Sequence, residues 1–546
     1  MIKGFISLYV PGYAAALVYM LQSCKYKAGP YLAQYWRTTN FNQVVEGVTL
    51  EQDRAANRLL LVLRTGMILQ IAAGLTLIYL GLWRHVTGGV AFGAAVIVAY
   101  PVVWAHLAVV PQLCSTLFRA LFRPKRVGKA ILCFFLERQV RQLRARHDFQ
   151  VIAVVGSVGK TSTKIAIAKV LGANQKVLYQ EGNYNDRLTV PLVFFNHQLP
   201  GLFNLLAWLK ILAANRRIMR QKYPYKYVVV ELGTDGPGQI ARFAYLKPEL
   251  SVVTAVAAEH MEFFGTLDAV AAEELSVCDF SAKALINCDD VSDVYLGHRA
   301  FLGYGVATKP GYRVTSWRQK DLQHAEITFK FQQEKALKAS VNVLGAQGVK
   351  IALAAASVAH ALDCTREATV EGLQAITPFA GRMQVLEGSK QAIIIDDTYN
   401  ASPVAVMAAL DVLYAAKTSC RIAILGSMNE LGNYSREAHC EVGAYCNAAK
   451  LDWVVTIGLD AERYLAPAAL EAGCRVKSFM SPYEAGEFVK KQLVAKAIVL
   501  AEGSQNGVFA EEALKALLLR PSDAEKLVRQ SPSWLAIKQR QFPPQR

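Results

Sequence analysis

Three long apolar runs without a single charged residue crowd into the first 118 residues of the 546-residue chain: Phe5 to Ser23, Gly66 to Trp83 and Gly88 to Phe118. About 20 apolar residues suffice to cross a bilayer core as a helix, so this region is expected to hold two or three transmembrane helices rather than a water-soluble core. The first run, with Lys3 before it and Lys25 and Lys27 after it, also has the form of a signal peptide, but no clear small-residue cleavage site follows. The third is interrupted by Pro101 and Pro111 and carries His106. A re-entrant first segment stays open.

Charge supports the same division. Residues 1–148 hold 17 Lys/Arg against 5 Asp/Glu, which is +12 of the chain's formal net charge of +17. A basic excess placed beside apolar segments suits an anionic membrane surface better than nucleic acid, and no nucleic-acid partner is expected. Arg119 to Arg146 carries nine Lys/Arg and one Glu, which sets the end of the third run, and everything after it, in the cytoplasm; a multi-pass protein of the cell (inner) membrane follows. Within it, Lys129 to Arg146 places Ile131, Phe134, Phe135 and Val140 among arginines, the pattern of an amphipathic juxtamembrane helix. The ten cysteines show no C-x-x-C spacing and imply neither a zinc ribbon nor a disulfide framework.

From Phe149 the pattern changes to short apolar β-rich runs alternating with helical stretches: Val151–Val155, Tyr227–Leu232, Leu250–Val256 and Ala284–Asn287, then Ala392–Ile395, Arg421–Leu425, Trp453–Ile457 and Ala497–Ala501. Two α/β domains are expected: a P-loop central ATPase domain over 149–380 and a Rossmann-like C-terminal domain over 381–520. They are preceded by an α-helical membrane region over 1–148 and followed by a poorly ordered tail over 521–546.

The sharpest local signal is Gly156-Ser157-Val158-Gly159-Lys160-Thr161-Ser162, directly after a strand and before a helical run. Glycines let backbone N–H groups close around phosphate oxygens, the helix N-terminus adds its dipole, Lys160 supplies a mobile positive charge and Thr161 can ligate Mg²⁺. Glu231 ends a strand, and His260 and Glu262 follow another, at the sheet edge where open α/β sheets bind ligands; imidazole and carboxylates there suit Mg²⁺ or Mn²⁺. Asp396-Asp397 closes a strand of the second domain and Arg382 follows the linker. Such acids bind ribose or metal and such an arginine binds phosphate, although a helix N-cap and a surface arginine explain them equally well.

Together these segments resemble the Mur ligase family of ATP-dependent amide ligases, and most closely its branch that joins D-alanyl-D-alanine to UDP-N-acetylmuramoyl-tripeptide. The resemblance spans about 149–515. It rests on Gly156 to Thr163, Gly182-Asn-Tyr-Asn185, Glu231-Leu-Gly233, His260-Met-Glu-Phe-Phe-Gly265, Asn287-Cys-Asp-Asp290, Gly381-Arg382, Asp396 to Pro403 and Leu425 to Gly432. It implies that a carboxylate takes the γ-phosphate of ATP and that an amine then attacks the acyl phosphate. Carried over by position, Lys160, His260, Glu274 and Arg382 are the catalytic residues. Gly156, Ser157, Gly159, Lys160, Thr161, Ser162, Asn287, Arg382 and Asp397 hold ATP, while Thr161, Glu231, His260 and Glu274 hold Mg²⁺. A hinge near 380 is implied as well.

Four departures accompany the resemblance. Glu274 stands where relatives commonly have a carbamylated lysine, and Ile351 where an adenine-reading Asn is expected. Glu502-Gly-Ser-Gln505 replaces K-G-S-R, removing two positive charges expected near the incoming dipeptide. The membrane region occupies the place of the UDP-binding domain. The substrates implied are therefore a peptidoglycan-type or lipid-linked precursor and an amino acid or dipeptide, with membrane lipids as further partners. The alternatives are a poly-γ-glutamate or capsule-type synthase, and a nucleotide-binding membrane scaffold that does not ligate.

Overall fold

The structure, a computed structural model, describes residues 7–10, 12–24, 26–38, 41, 44, 54–110, 124–202, 204–505 and 507–543. It divides into two units, Met1–Ala130 and Ile131–Arg546.

In the first unit, helices Arg54–Trp83 and Thr87–Leu107 form a hairpin, and within it Ala56–Trp83 and Thr87–Leu107 are long and apolar enough to cross a membrane. Glycines set their approach: a Cβ on Gly74 would stand 2.9 Å from the Gly93 carbonyl oxygen, and one on Gly93 2.7 Å from that of Gly74. Side chains such as Leu61, Ile68, Leu69 and Phe92 point outward, unburied. The run from Phe5 to Ser23 is not a third span among the described residues: its helix, Tyr13–Ser23, has 11 residues, too few to cross, and buries Leu17, Val18, Met20 and Leu21. The end of the third run, from Pro111 to Phe118, and Arg119 to Arg123 lie outside the described residues.

The division between the two units falls inside helix Pro124–Arg146, between Ala130 and Ile131. The reason is periodicity. Cys133, Leu136, Val140 and Leu143 recur at helical spacing, and all are buried, so this stripe packs inward; Val140, expected at a lipid interface, lies beneath Phe149 and Val151.

The second unit holds two sheets. The larger is built from β1 (Gln150–Val155), β2 (Val177–Leu178), β3 (Tyr227–Glu231), β4 (Leu250–Val253), β5 (Ala284–Asn287), β6 (Leu302–Gly305), β7 (Tyr312–Gln319), β8 (Ala325–Phe331) and β9 (Leu337–Val341), in the order β2-β3-β1-β4-β5-β6-β7-β8-β9. Pairing is parallel as far as β7 and antiparallel from there. Alternation along β1 serves both faces: Ile152 and Val154 enter the core under helices Lys160–Gly172 and Gly345–Ala361, while Val151, Ala153 and Val155 enter the core on the other side. The smaller sheet consists of β10 (Gln384–Glu387), β11 (Ile393–Asp397), β12 (Arg421–Gly426), β13 (Trp453–Ile457), β14 (Val476–Phe479) and β15 (Ile498–Glu502). Its order is β10-β11-β15-β12-β13-β14, parallel except for β10.

The end of the chain differs from the expected tail. Helix Pro532–Gln541 sends Lys538, fully buried, to Glu512 Oε1 at 2.6 Å and Glu511 Oε1 at 2.8 Å. A buried cation held by two carboxylates keeps this segment in place.

Candidate active site

β1 lies between β3 and β4, so the connections around it leave the sheet in opposite directions and open a crevice at the strand ends. The loop Gly156–Gly159 fills that point. Gly156 has φ +124°, and a Cβ there would stand 2.4 Å from Thr254 Oγ1, so only glycine fits. The loop is held from β4 and the chain after it: Ser157 N–H donates to the Ala255 carbonyl at 2.9 Å, Ser157 Oγ bonds to Ala257, and Thr254 Oγ1 donates to the Val158 carbonyl at 2.6 Å. Helix Lys160–Gly172 then starts at Gly159, in the left-handed region, which turns the first helical N–H groups toward the crevice.

Thr161 Oγ1 donates to Glu231 Oε2 at 2.9 Å, Lys164 Nζ lies 3.2 Å from the same oxygen, and Asn185 Nδ2 donates to Glu231 Oε1 at 3.2 Å. Lys164, almost wholly buried, is a partner that reading the sequence missed. Lys160 Nζ lies 3.2 Å from Glu259 Oε2, and Glu259 Oε1 lies 3.6 Å from His260 Nε2. Glu259 was also overlooked, although it immediately precedes His260. His260 adopts φ +50° and brings Nδ1 to 3.1 Å from Glu430 Oε2, which belongs to the loop after β12. That hydrogen bond, opposed by burial and aided by Glu259 and Asp235, raises the His260 pKa above its ordinary value.

Glu274 is placed differently from the expectation that it meets His260 at one cation. It lies behind the loop, 2% exposed, with Oε2 accepting from Gly156 N–H at 2.8 Å, and it lines neither cavity. Burial pushes its pKa up to about 7, against the opposing pull of Lys160. Neighbouring Glu273 is consumed by the N–H groups of Gly238, Gln239 and Ile240.

Two adjoining cavities, each of about 330 Å³, open from the loop, and Val158, Gly159 and Arg382 line both. The first is largely apolar: Ser162, Asn287, Tyr304, Ile351, Met383 and Asp397 line it, so the sequence-predicted Asn287 and Asp397 and the unexpected Ile351 share one chamber. Asn287 itself is buried and donates to the Thr254 carbonyl and to Asp290. The second cavity is polar, lined by Lys160, Thr161, Asn183, Glu231, His260 and Gln505 among others. Arg382 lies 4.6 Å over the Tyr399 ring, and its buried Nε has no hydrogen-bond partner, an orphan donor facing a site for oxyanions.

Of the two lost positive charges, only Gln505 lines a cavity. Glu502 is fully buried at the end of β15, with both oxygens lacking a hydrogen-bond partner, beneath Asp397. Burial drives Asp397 up to about 7, against the pull of Arg382, and drives Glu502 well above its ordinary range with the Asp397 charge adding to it, so the pair retains a proton. Asp397 Oδ1 also accepts from Met383 N–H at 3.1 Å.

Two family models match this chain: the Mur ligase middle domain over residues 209–359 and the Mur ligase, glutamate ligase domain over 381–505. The chain belongs to the Mur ligase family. Members of this family are ATP-dependent, ADP-forming amide ligases that use Mg²⁺. Among curated relatives, the UDP-N-acetylmuramoyl-tripeptide--D-alanyl-D-alanine ligase of Escherichia coli is 28% identical over 326 residues, 58% of this chain and 66% of that protein. The Haemophilus influenzae enzyme of the same name is 26% identical, over 67% of this chain and 76% of its own length. The fold is shared with crystal structures of MurF from Acinetobacter baumannii, at TM-score 0.57 and 22% identity over 70% of this chain and 78% of that one. It is shared too with MurF ligase from Thermotoga maritima in complex with ADP, at TM-score 0.58 and 22% identity over 72% and 84%.

The Mur ligase residues present fit ATP and Mg²⁺ chemically. Gly156 leaves the only space in which a loop this tight can close, Arg382 Nε lacks a partner, and Thr161 with Glu231 offers hard oxygen donors. A Mg²⁺ commonly takes one or two protein ligands and completes its shell from phosphate and water, and Thr161 with Glu231 would hold it here.

Proposed function

We propose that this protein is a membrane-anchored, ATP-dependent peptide ligase that joins an amino acid or a dipeptide of the D-alanyl-D-alanine kind to a peptidoglycan-type precursor carried on lipid. One observation carries the reading: a phosphate loop on one lobe faces, across a polar cavity, the Arg382 guanidinium, whose Nε has no hydrogen-bond partner, and a His260–Glu430 contact supplied with the second lobe. The apolar hairpin 54–107 supports the anchoring, and relatives named as D-alanyl-D-alanine ligases support the amine.

In this reading the loop N–H groups and Lys160 orient the triphosphate, and Mg²⁺ at Thr161 and Glu231 supplies charge neutralisation when bound. Lys160 exchanges Glu259 for a phosphate oxygen. Arg382 meets the growing negative charge on the acyl phosphate from the opposite side, and Asp397 faces the ribose. His260 holds the polar cavity closed through Glu430, and the chain at Pro378–Gly381 is the hinge about which the second lobe brings the amine. Glu274 acts through Gly156.

The test is ADP formation by the detergent-solubilised full chain with ATP, Mg²⁺ and a panel pairing acceptors, free and lipid-linked, with single amino acids and D-Ala-D-Ala. ADP release that requires both an acceptor and an amine, with the amide product found by mass spectrometry, is the expected result. ADP release indifferent to both, or none with any pair, overturns the reading.

A further inference from the structure

Helix Pro124–Arg146 buries one face on the second unit and leaves the other bare. The exposed positions are Ile131, Phe134 and Phe135, then Arg138, Arg141 and Arg146, so the outer face is apolar at its start and basic toward its end. Helix Leu205–Ile218 repeats that arrangement: Leu205, Leu206 and Leu209 are exposed at its start, at 67%, 73% and 53%, followed by Lys210, Arg216 and Arg217. The two helices are neighbours. Gln139 donates to the Leu212 carbonyl at 3.0 Å and accepts from Asn215 Nδ2 at 2.7 Å, and Cys133 and Leu136 share a core cluster with Trp208 and Ile211.

Six large apolar side chains on adjacent helices exceed what a soluble surface scatters singly. The charge beside them is of one sign. Helix Leu205–Ile218 holds no acid, and the one acid of Pro124–Arg146, Glu137, is buried and spent on Arg187 at 2.5 Å. Apolar residues flanked by arginines and lysines, with no exposed carboxylate between them, fit a layer of anionic headgroups above hydrocarbon.

We propose that the ATP-binding unit itself rests on an anionic bilayer through the outer faces of these two helices. The proposal builds on the reading that the hairpin 54–107 crosses a membrane, and it adds a second, peripheral contact made by the catalytic unit. It also gives the polar cavity a short route to lipid: Arg187, which lines that cavity, is the residue that Glu137 of the first helix binds. A lipid-linked acceptor held at the bilayer surface then lies close to the residues that must receive it.

The experiment uses the full chain in lipid nanodiscs, with a fluorescent amino acid at position 206 and, in a control, at Leu470, which is exposed on the second lobe. Lipids carrying a quencher in the upper acyl chain are expected to quench the probe at 206 several-fold more than that at 470, and more in anionic than in neutral discs. The triple variant Lys210→Glu, Arg216→Glu, Arg217→Glu is expected to lose the anionic preference while keeping its melting temperature. Equal quenching at both positions overturns the proposal, as does a probe at 206 shielded from a water-soluble quencher but untouched by lipid, which would mean that a second copy or residues 1–130 cover the face. An alkaline wash separates the two readings: protein that stays in the disc without quenching at 206 keeps the anchor and loses the seat, and protein that is released after showing quenching loses the anchor and keeps the seat.

Discussion

The two sheets of the ligase unit present carboxylates at the same place, the carboxyl ends of parallel strands, and treat them in opposite ways. At the end of β3, Glu231 is surrounded by donors from Thr161, Lys164 and Asn185. At the ends of β11 and β15, burial of Asp397 and Glu502 outweighs the one donor from Met383 N–H and the pull of Arg382, and the pair keeps a proton. Shared topology therefore fixes where polar groups gather, and the neighbouring side chains decide whether the edge carries a charged or a protonated carboxylate.

Removing Lys160 tests the charged edge most severely. Lys160→Ala should lower turnover by at least about 10³-fold with the melting temperature nearly unchanged, because the site loses the cation that meets phosphate. Near-wild-type ADP release would dissolve the comparison. Glu231→Gln comes next, at roughly 10²-fold. Its loss should be partly recovered by raised Mg²⁺, since an amide is a poorer ligand for a hard cation; a Mg²⁺ titration that does not move would take Glu231 away from the metal.

Glu274→Gln should cost less than about tenfold, with an unchanged Mg²⁺ requirement, because an amide oxygen can still accept from Gly156 N–H. A raised requirement would return Glu274 to the cation. The smallest effect belongs to the neutral edge. Asp397 ionises in the unfolded chain near the ordinary carboxylate range and in the folded chain only at about 7, so its contribution to stability is present at low pH and falls as pH rises through that window. Glu502 likewise ionises in the unfolded chain and stays protonated in the fold, a cost that Glu502→Gln removes, so melting curves should show the variant about 2–4 °C more stable than the parent near pH 7 and equal to it near pH 4. A variant less stable at both would mean that the pair is not sharing a proton.

Much of this site was legible in the sequence because its signals are local. A strand, a glycine loop and Lys160-Thr161 in immediate succession read as a phosphate site, and Glu231 and Asp397 were found because each ends an apolar run. The partners were harder. Lys164 was visible only as one more helical residue, Glu259 was passed over beside His260, and Glu430 became a neighbour of His260 through a loop of the other sheet. The contact between Glu274 and Gly156 N–H was not foreseen because a residue's place in a motif says nothing about which way a buried carboxylate turns. The strands β6–β9 escaped notice because alternating half-buried strands such as Ala325–Phe331 carry a weaker signal than the continuous apolar runs of a parallel core. The inward stripe of helix Pro124–Arg146 was hard to see for a related reason: arginines on its outer face masked it.

The phosphate loop is also not portable. Its seven residues do not hold their own shape: Gly156 closes because Thr254 Oγ1 stands where a side chain would go, and Ser157 and Val158 are tied to Ala255, Ala257 and Thr254, roughly a hundred positions away. The same string copied into another strand-to-helix turn would inherit the lettering without the mould. Changes at 156 and at 254 are therefore coupled, and a lineage that enlarges one residue must reshape the other in the same step or lose the nucleotide.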